Sequence, residues 1–562
     1  MAQPQTIIFW GSGATAELGI GTTTQQAQFI RCVTGAKDPD QQLEERVVEV
    51  LRRNDAERWH DALLDLITIL GDSDEAYDHI DVINHEHLNA MRRNWRKGAT
   101  DEELRRRILD LRLIYDWPAL KSVVRICPGS ATSDFKLNDL FNLLDMHIPP
   151  GFGFRAPSPH GVLDPKKHTG EQFFDARRLV GAKNALLMIL IASFYIDYQA
   201  CISSKRDLLQ KYYDFVLLLG RRMQNEGLHL ASESNLDRPK FYKGDVGFAS
   251  LNYDPILLWL QFNTNRELNK SATVPHIGSP AVPLHLFHDF GHLIPARRIE
   301  RPEADWPWYP MNEGAVQRLN EQAVSDSRVR LTKFLFPHGC LCWRECPDCG
   351  KLSAYHGDRW GLDSSSLFPP PPLQAFEGDE SSCPDWITGK EREQRELGRV
   401  DARACLHCGT LTYAHHTQAI MQSSFKPRPP SFIEEIQRDL RATAMQASHI
   451  IFMGYSLPVD DVTYRAFFSA SRQRGGTSGH EFQSVRCTVV DKDDDNHGWY
   501  GPSELEMKIK NLPETHPAKA ARDIFDPKYV RYYDGGIPNV FLDDGRASVA
   551  ALERLLNWSS TV

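Results

Sequence analysis

A chain of 562 residues with 41% hydrophobic and 25% charged side chains has an ordinary globular composition, with room for about two to four domains. These values exclude fibrous and fully disordered classes. A formal net charge of −9 argues against a general nucleic-acid binder.

The N-terminal stretch MAQPQTIIFWGSG carries neither a basic region nor a long apolar core, so no secretory signal is read there and a cytoplasmic location is expected. Thr6-Ile7-Ile8-Phe9-Trp10 is short and apolar and runs directly into Gly11-Ser12-Gly13-Ala14-Thr15-Ala16. A β-rich run ending in Gly-x-Gly predicts a strand, a tight turn and a helix. From about residue 41 to residue 224 the apolar residues recur mostly at helical spacing, as in DQQLEERVVEVLRRN, DEELRRRILDLRLIYDW (Asp101 to Trp117) and DLLQKYYDFVLLLGRRM. The longest apolar run, Ala185 to Ile196, lies between Lys183 and Asp197. It falls short of the roughly 18 apolar residues of a membrane helix, so it predicts a buried core helix and no membrane association.

Strand character returns at residues 246–251, 329–336, 449–454 and 485–490, and the helical pattern FIEEIQRDLRATAMQA precedes the third of these. Strands alternating with helices at both ends of the chain predict an α/β fold: a Rossmann-like parallel sheet assembled discontinuously, with a large helical insertion and a small zinc module. The expected division is 1–40 for the start of the sheet domain, 41–240 for the helical insertion, 241–339 for more of the sheet, 340–425 for the zinc module and 426–562 for the remainder. Within the zinc module, Tyr355 to Arg399 contains Pro369 to Pro372 and the run KEREQRELGR, which predicts an extended loop. KPRPPSF, around Pro427, predicts a second linker.

Several of the strand ends carry chemistry. Glycines at Gly11 and Gly13 allow backbone N–H groups to approach a phosphate, or simply form a structural turn. Asn252-Tyr253-Asp254 follows a strand, where polar residues occupy the ligand crevice of an open sheet; Asp254, just before Pro255, equally suits a helix cap. His338 ends another strand and is either a general base or a structural histidine. Gly454-Tyr455-Ser456-Leu457 follows a fourth strand, and Asp491 ends a fifth, where an acid can bind a ribose hydroxyl or merely face solvent.

Seven of the eleven cysteines lie between Cys340 and Cys408, a clustering that points to metal rather than disulfides. Cys346-Pro-Asp-Cys349-Gly350 and Cys405-Leu-His-Cys408-Gly409 are two CxxCG knuckles. Two residues between thiolates let both sulfurs reach one tetrahedral zinc, and four such ligands leave no open position, so a structural Zn2+ is expected. Cys340 and Cys342 form a competing ligand set, Cys383 a weaker one. His285, His288 and His292 have the spacing of a helical metal face, although Gly291 and the nearby prolines oppose a helix.

Taken in order, glycine turn, Asn-x-Asp, His-Gly, paired CxxC, Gly-x-Ser-Leu and strand-end acid, the series resembles the sirtuin family. The resemblance covers the sheet and the zinc region but not the stretch from roughly Phe29 to Tyr242. It implies an NAD+ site between a Rossmann-like domain and a small zinc module. In that site Gly11, Ser12, Gly13, Ala14, Thr15, Gly454, Ser456, Leu457 and Asp491 would bind the dinucleotide, and Asn252, His338 and Asp254 would be catalytic. Protein-deacylating sirtuins continue the first motif as Gly-Ile-Pro-Asp-Phe-Arg, whereas this chain reads Gly19-Ile20-Gly21-Thr22-Thr23-Thr24 and has Leu251 in place of the Gln before the catalytic Asn. In these departures the chain looks more like the divergent bacterial sirtuin-like proteins of anti-phage systems.

The resemblance therefore implies an NAD+ glycohydrolase acting in anti-phage defence and releasing nicotinamide and ADP-ribose. The alternatives are an NAD-dependent protein deacylase, a non-catalytic NAD+ or ADP-ribose sensor, and, against the acidic balance, a zinc-based nucleic-acid module. A depleting enzyme must be held off until needed, so a homo-oligomer or a regulatory, activating partner protein is expected.

Overall fold

The computed structural model describes residues 5–34, 111–157, 170–232, 241–243, 245–270, 284–288, 329–345, 352–354, 361–364, 367–368, 416–420, 429–458, 461–471, 485–493 and 498–558, with isolated positions between them. It is a mixed α/β structure built on a mostly parallel nine-stranded sheet. The strands are β1 (Thr6–Trp10), β2 (Phe241–Lys243), β3 (Val246–Ser250), β4 (Leu284–His288), β5 (Val329–Leu335), β6 (His449–Met453), β7 (Arg486–Val490), β8 (Trp499–Tyr500) and β9 (Val530–Tyr533).

Every residue of β1, β3 and β6 is buried, as expected for parallel strands covered on both faces. β1 is the centre: Ile8 stands opposite Ile451 of β6 on one side and Phe248 of β3 on the other. β6 pairs with β7 and β7 with β9, all parallel, and β8 closes that edge antiparallel to β9. β3 pairs in parallel with β5, which also takes β2 and β4. Numbered by chain position, β1, β3, β5, β6, β7 and β9 lie in the spatial order 3-2-1-4-5-6. The winding direction thus reverses at β1, and such a reversal opens a crevice at the carboxyl ends of the strands.

The apolar run at Ala185 to Ile196 lies in a 29-residue helix, Ala176–Ser204, capped by the Asp175 carboxylate, which accepts from Arg178 N at 2.9 Å. This helix is long and apolar enough to cross a membrane, but 83% of its most apolar window is buried inside the protein. A helix apolar on all sides must be packed on all sides. Here the neighbours include Trp117–Ile126 and Arg206–Ser232, and their buried side chains join those of the sheet in one continuous core.

Two expectations need correction. The run Asp101 to Trp117 is not one helix to its end. Leu111–Ile114 stops, and Asp116 caps a new helix at Trp117–Ile126 by accepting from Ala119 N at 2.8 Å. Pro118 suits the first turn of a helix and not its interior, so it sets the break there. The expected loop from Tyr355 to Arg399 is not extended where it is described. Leu367 and Phe368 are buried, Phe368 stacks on Phe194, and Gly361 both accepts from Trp259 Nε1 (2.9 Å) and donates to Asn263 Oδ1 (3.0 Å). An apolar pair just ahead of the prolines anchors the segment to the core.

Candidate functional site

The carboxyl ends of β1, β3 and β6 are tied to one another by main-chain bonds that continue the sheet. Gly11 N donates to Met453 O (2.9 Å), Leu251 N to Trp10 O (2.9 Å) and Gly13 N to Gly454 O (2.9 Å). These contacts explain the glycines. A Cβ on Gly11 would lie 2.5 Å from Gly454 O. A Cβ on Gly454, whose φ is +62°, would lie 2.1 Å from Ala14 N. The two loops interlock backbone to backbone, which only glycine permits. The helix after the first turn is a single turn, Gly13–Ala16, so its dipole is small; the long helix comes later, at Thr23–Val33, behind a Thr22/Gln25 capping box. Tyr212 of the helical layer holds the turn from outside, its hydroxyl donating to Ala14 O at 2.8 Å.

Between these loops lies a cavity of about 220 Å³. Of the residues expected at the site, Gly11, Ser12, Thr15, Asn252, Asp254, Gly454 and Ser456 line it. They come from three segments separated by some 200 residues each. Asn252 is buried; its Nδ2 donates to Thr15 Oγ1 at 3.3 Å, its amide also contacts the Asp254 carboxylate, and its Oδ1 has no hydrogen-bond partner. Asp254 caps the helix Ile256–Lys270 as well, Oδ1 accepting from Ile256 N at 3.0 Å. Burial pushes its carboxyl up to about 6, and the bonds from Ile256 and Asn252 offset part of that rise.

Five expected residues stand elsewhere. Gly13 and Ala14 belong to the loop interlock. Leu457 is buried in the core at φ +48°, its carbonyl bound by Arg465 at 3.0 Å. Asp491 lies outside the cavity lining, with Oδ1 accepting from Lys492 N at 3.0 Å, and burial raises its carboxyl above the usual range. His338 is buried behind the Asn252 loop, its Nδ1 3.4 Å from Leu251 O and its ring edge-on to Tyr464. It touches the residue before Asn252 without lining the cavity.

The helical layer supplies the opposite wall, which the sequence patterns did not reveal: Phe141 and Asn138 from one helix, Leu190 and Phe194 from another. Gly21, Thr23 and Gln26 complete it. Contacts between residues so far apart in the chain leave no local periodicity to read.

Cys346, Cys349, Cys405, Cys408 and Cys383 lie outside the described residues. Cys340 and Cys342 are described: both are buried on the strand Gly339–Glu345, with their sulfurs 3.3 Å apart and Cys340 Sγ 3.4 Å from Tyr253 O. Among the described residues no group of three or more His, Cys, Asp or Glu side chains is placed to hold a metal ion. Residues 284–288 form β4, so His285 and His288 do not share a helical face; His292 lies outside the described residues. A scan against protein-family models found no match to this chain, and a search of curated proteins found none either.

Proposed function

We propose that the chain is a sirtuin-like NAD+ glycohydrolase, producing nicotinamide and ADP-ribose. One observation carries the reading. Three distant strand-end motifs converge on a single cavity at the reversal of a 3-2-1-4-5-6 sheet, with the buried Asn252 Oδ1 unpaired in it. That strand order is the one found in Rossmann dinucleotide-binding sheets, whose ligands sit at this crevice. A buried, unpaired acceptor costs stability unless a ligand or water completes it.

In the proposed reaction the bond between nicotinamide and ribose C1′ breaks, and nicotinamide leaves with the electron pair. The oxocarbenium-like ribose resembles that of glycoside hydrolysis. Asn252 Oδ1 accepts an O–H of the attacking water and aims its oxygen at C1′. Asp254 lies near the carboxamide, and its proximity favours the pyridinium cation over neutral analogues. Ser12 and Thr15 offer hydroxyls to the pyrophosphate. Water adds to C1′ and gives up one proton; His338, which does not line the cavity, is the proposed final acceptor, with the proton relayed through the ribose hydroxyls. With Nδ1 donating to Leu251 O, its Nε2 would carry the lone pair that a base requires.

The same reading assigns a structural zinc to Cys346, Cys349, Cys405 and Cys408, through which no step of the reaction runs. The role in anti-phage defence, and control by self-assembly or an activating partner, rest on the resemblance alone. A second reading, an NAD+ or ADP-ribose sensor, draws support from the position of His338 outside the cavity lining.

Chromatography of nicotinamide and ADP-ribose, after incubating NAD+ with wild type or with Asn252→Ala, separates these readings. Hydrolysis that needs Asn252 and no acyl peptide supports the glycohydrolase. Equal rates in both proteins would sink the assignment of the site. Tight NAD+ binding with no turnover would favour the sensor, and turnover only with acyl-lysine peptide the deacylase.

A further inference from the structure

Gln26 has no part in the reaction above, yet it is built into the same cavity. It is 3% exposed, it lines the cavity, and its Oε1 has no hydrogen-bond partner. Its Nε2 donates to Asp197 Oδ2 at 3.5 Å, and Gly21 N donates to the same oxygen at 3.0 Å. A carboxylate accepts and does not donate, so the amide is oriented with Nε2 toward Asp197 and Oε1 away from it. A Cβ on Gly21 would fall 2.5 Å from Gln26 Nε2, so a glycine at 21 is what allows the three groups to meet. Asp197 belongs to the long helix Ala176–Ser204, and the helical layer thereby aims a side chain of the sheet domain.

The polar groups facing the ligand now form a consistent set. Gln26 Oε1, Asn252 Oδ1 and the Asp254 carboxylate are acceptors, the hydroxyls of Ser12, Thr15, Thr23 and Ser456 also line the cavity, and no Lys, Arg or His does so among the described residues. A ligand group that only accepts, such as a carboxylate, would leave Gln26 Oε1 unpaired and set a second negative charge against Asp254, at a further cost in desolvation. A carboxamide brings two N–H donors, and a pyridinium brings positive charge.

We propose that Gln26, aimed by Asp197, is a specificity-determining residue whose Oε1 accepts an N–H from the carboxamide of the bound dinucleotide, so that the site takes NAD+ and rejects its nicotinic-acid counterpart. The proposal rests on the NAD+ reading of the cavity and extends it to residues that reading does not use.

The test is equilibrium binding of two non-hydrolysable carbocyclic dinucleotides, one with the carboxamide and one with the carboxylate, to the full chain. Both affinities are measured on one preparation, so their ratio does not depend on the folded fraction. Wild type should prefer the carboxamide by at least about 100-fold. Gln26→Met, close in shape but without the acceptor, should cut that preference by about tenfold. Asp197→Asn, which lets the amide turn over, should give an intermediate ratio. An unchanged ratio in Gln26→Met would overturn the inference and leave NAD+ hydrolysis standing. Equal affinities in wild type would do the same. Failure of wild type to bind either dinucleotide would overturn both.

Discussion

At the amino ends of the strands Arg531 of β9 donates through Nε to Thr488 Oγ1 (2.8 Å) and through its terminal nitrogens to Leu555 O (2.7 Å) and Asn557 O (3.4 Å). Thr488 pairs with His449 Nε2 at 2.7 Å, and His449 Nδ1 faces Leu556 O at 3.2 Å. A carbonyl cannot donate, so Nδ1 carries the proton and Nε2 accepts the threonine hydroxyl. Trp499 and Trp558 cover the guanidinium, at 4.7 and 4.9 Å. At the carboxyl ends, by contrast, two equally buried amides keep an oxygen unpaired. Burial alone does not separate the two regions, since both hide polar groups. Completion of the hydrogen bonds does: the satisfied network fastens the C-terminal helix Val549–Leu556 to the sheet, and the other leaves two amide oxygens without partners beside the cavity.

Substitutions should separate the two ends cleanly. Arg531→Ala leaves helix-end carbonyls unpaired and a void between two indoles, for an expected loss of about 4 kcal/mol in stability by denaturant unfolding. Its nicotinamide release per folded molecule should match wild type. Asn252→Ala should do the reverse. Release should fall by at least about 100-fold, while stability changes by no more than about 1 kcal/mol, because only a long bond to Thr15 and the contact with Asp254 are lost. If Asn252→Ala were instead the more destabilising change, the amide would be structural and the contrast would fail.

The same contrast explains what could be read in advance. β1, β3 and β6 were legible to within a residue or two, because strands buried on both faces are written as largely apolar runs; β5 and β7 were legible to the same margin although Arg330, Lys333 and Arg486 interrupt them. β9 was not, since Arg531, its second residue, reads as a surface residue until the two tryptophans that cover it are in place. β4 was hidden in a segment rich in proline and histidine. The strand-end motifs were legible because an open parallel sheet presents its carboxyl ends to the ligand, whatever the helices do. The wall formed by Gln26, Phe141 and Phe194 was not, because Gln26 and the Asp197 that holds it meet across 171 positions. His338 shows the limit of motif order: the residue is where the series requires it in the chain, but it stands behind Leu251 in space.

Acid should act on the two ends with opposite sign. Burial holds the His449 imidazole down at about 3, against an ordinary value of 6.5, so between those limits the unfolded chain binds the extra proton. Stability from this group is therefore lost as pH falls from 6.5 toward 3, by at most about 1.4 kcal/mol per pH unit. The Asp254 carboxyl is raised from 3.8 to about 6, so there the folded chain binds the proton first, and stability is gained as pH falls from 6 to 3.8. Urea unfolding from pH 7 to pH 4 should show a steeper acid loss in Asp254→Asn than in wild type and a shallower one in His449→Gln. Parallel curves for the three proteins would remove both assignments.

The smallest effect concerns what holds Asn252 in place. Its Nδ2 has two partners, the Thr15 hydroxyl at 3.3 Å and the Asp254 carboxylate. The first bond is long and neutral, the second is assisted by charge and roughly twice as strong. Thr15→Val removes the first, along with a hydroxyl offered to the pyrophosphate, so at saturating NAD+ nicotinamide release should fall by less than about fivefold, equivalent to under about 1 kcal/mol. Asp254→Asn removes the charge and leaves the amide free to turn, so its loss should exceed that of Thr15→Val. The reverse order would mean that Thr15 orients the amide and that Asp254 serves chiefly as the cap of the helix Ile256–Lys270. The acidic member of the site would then move from the chemistry to the scaffold, alongside Arg531.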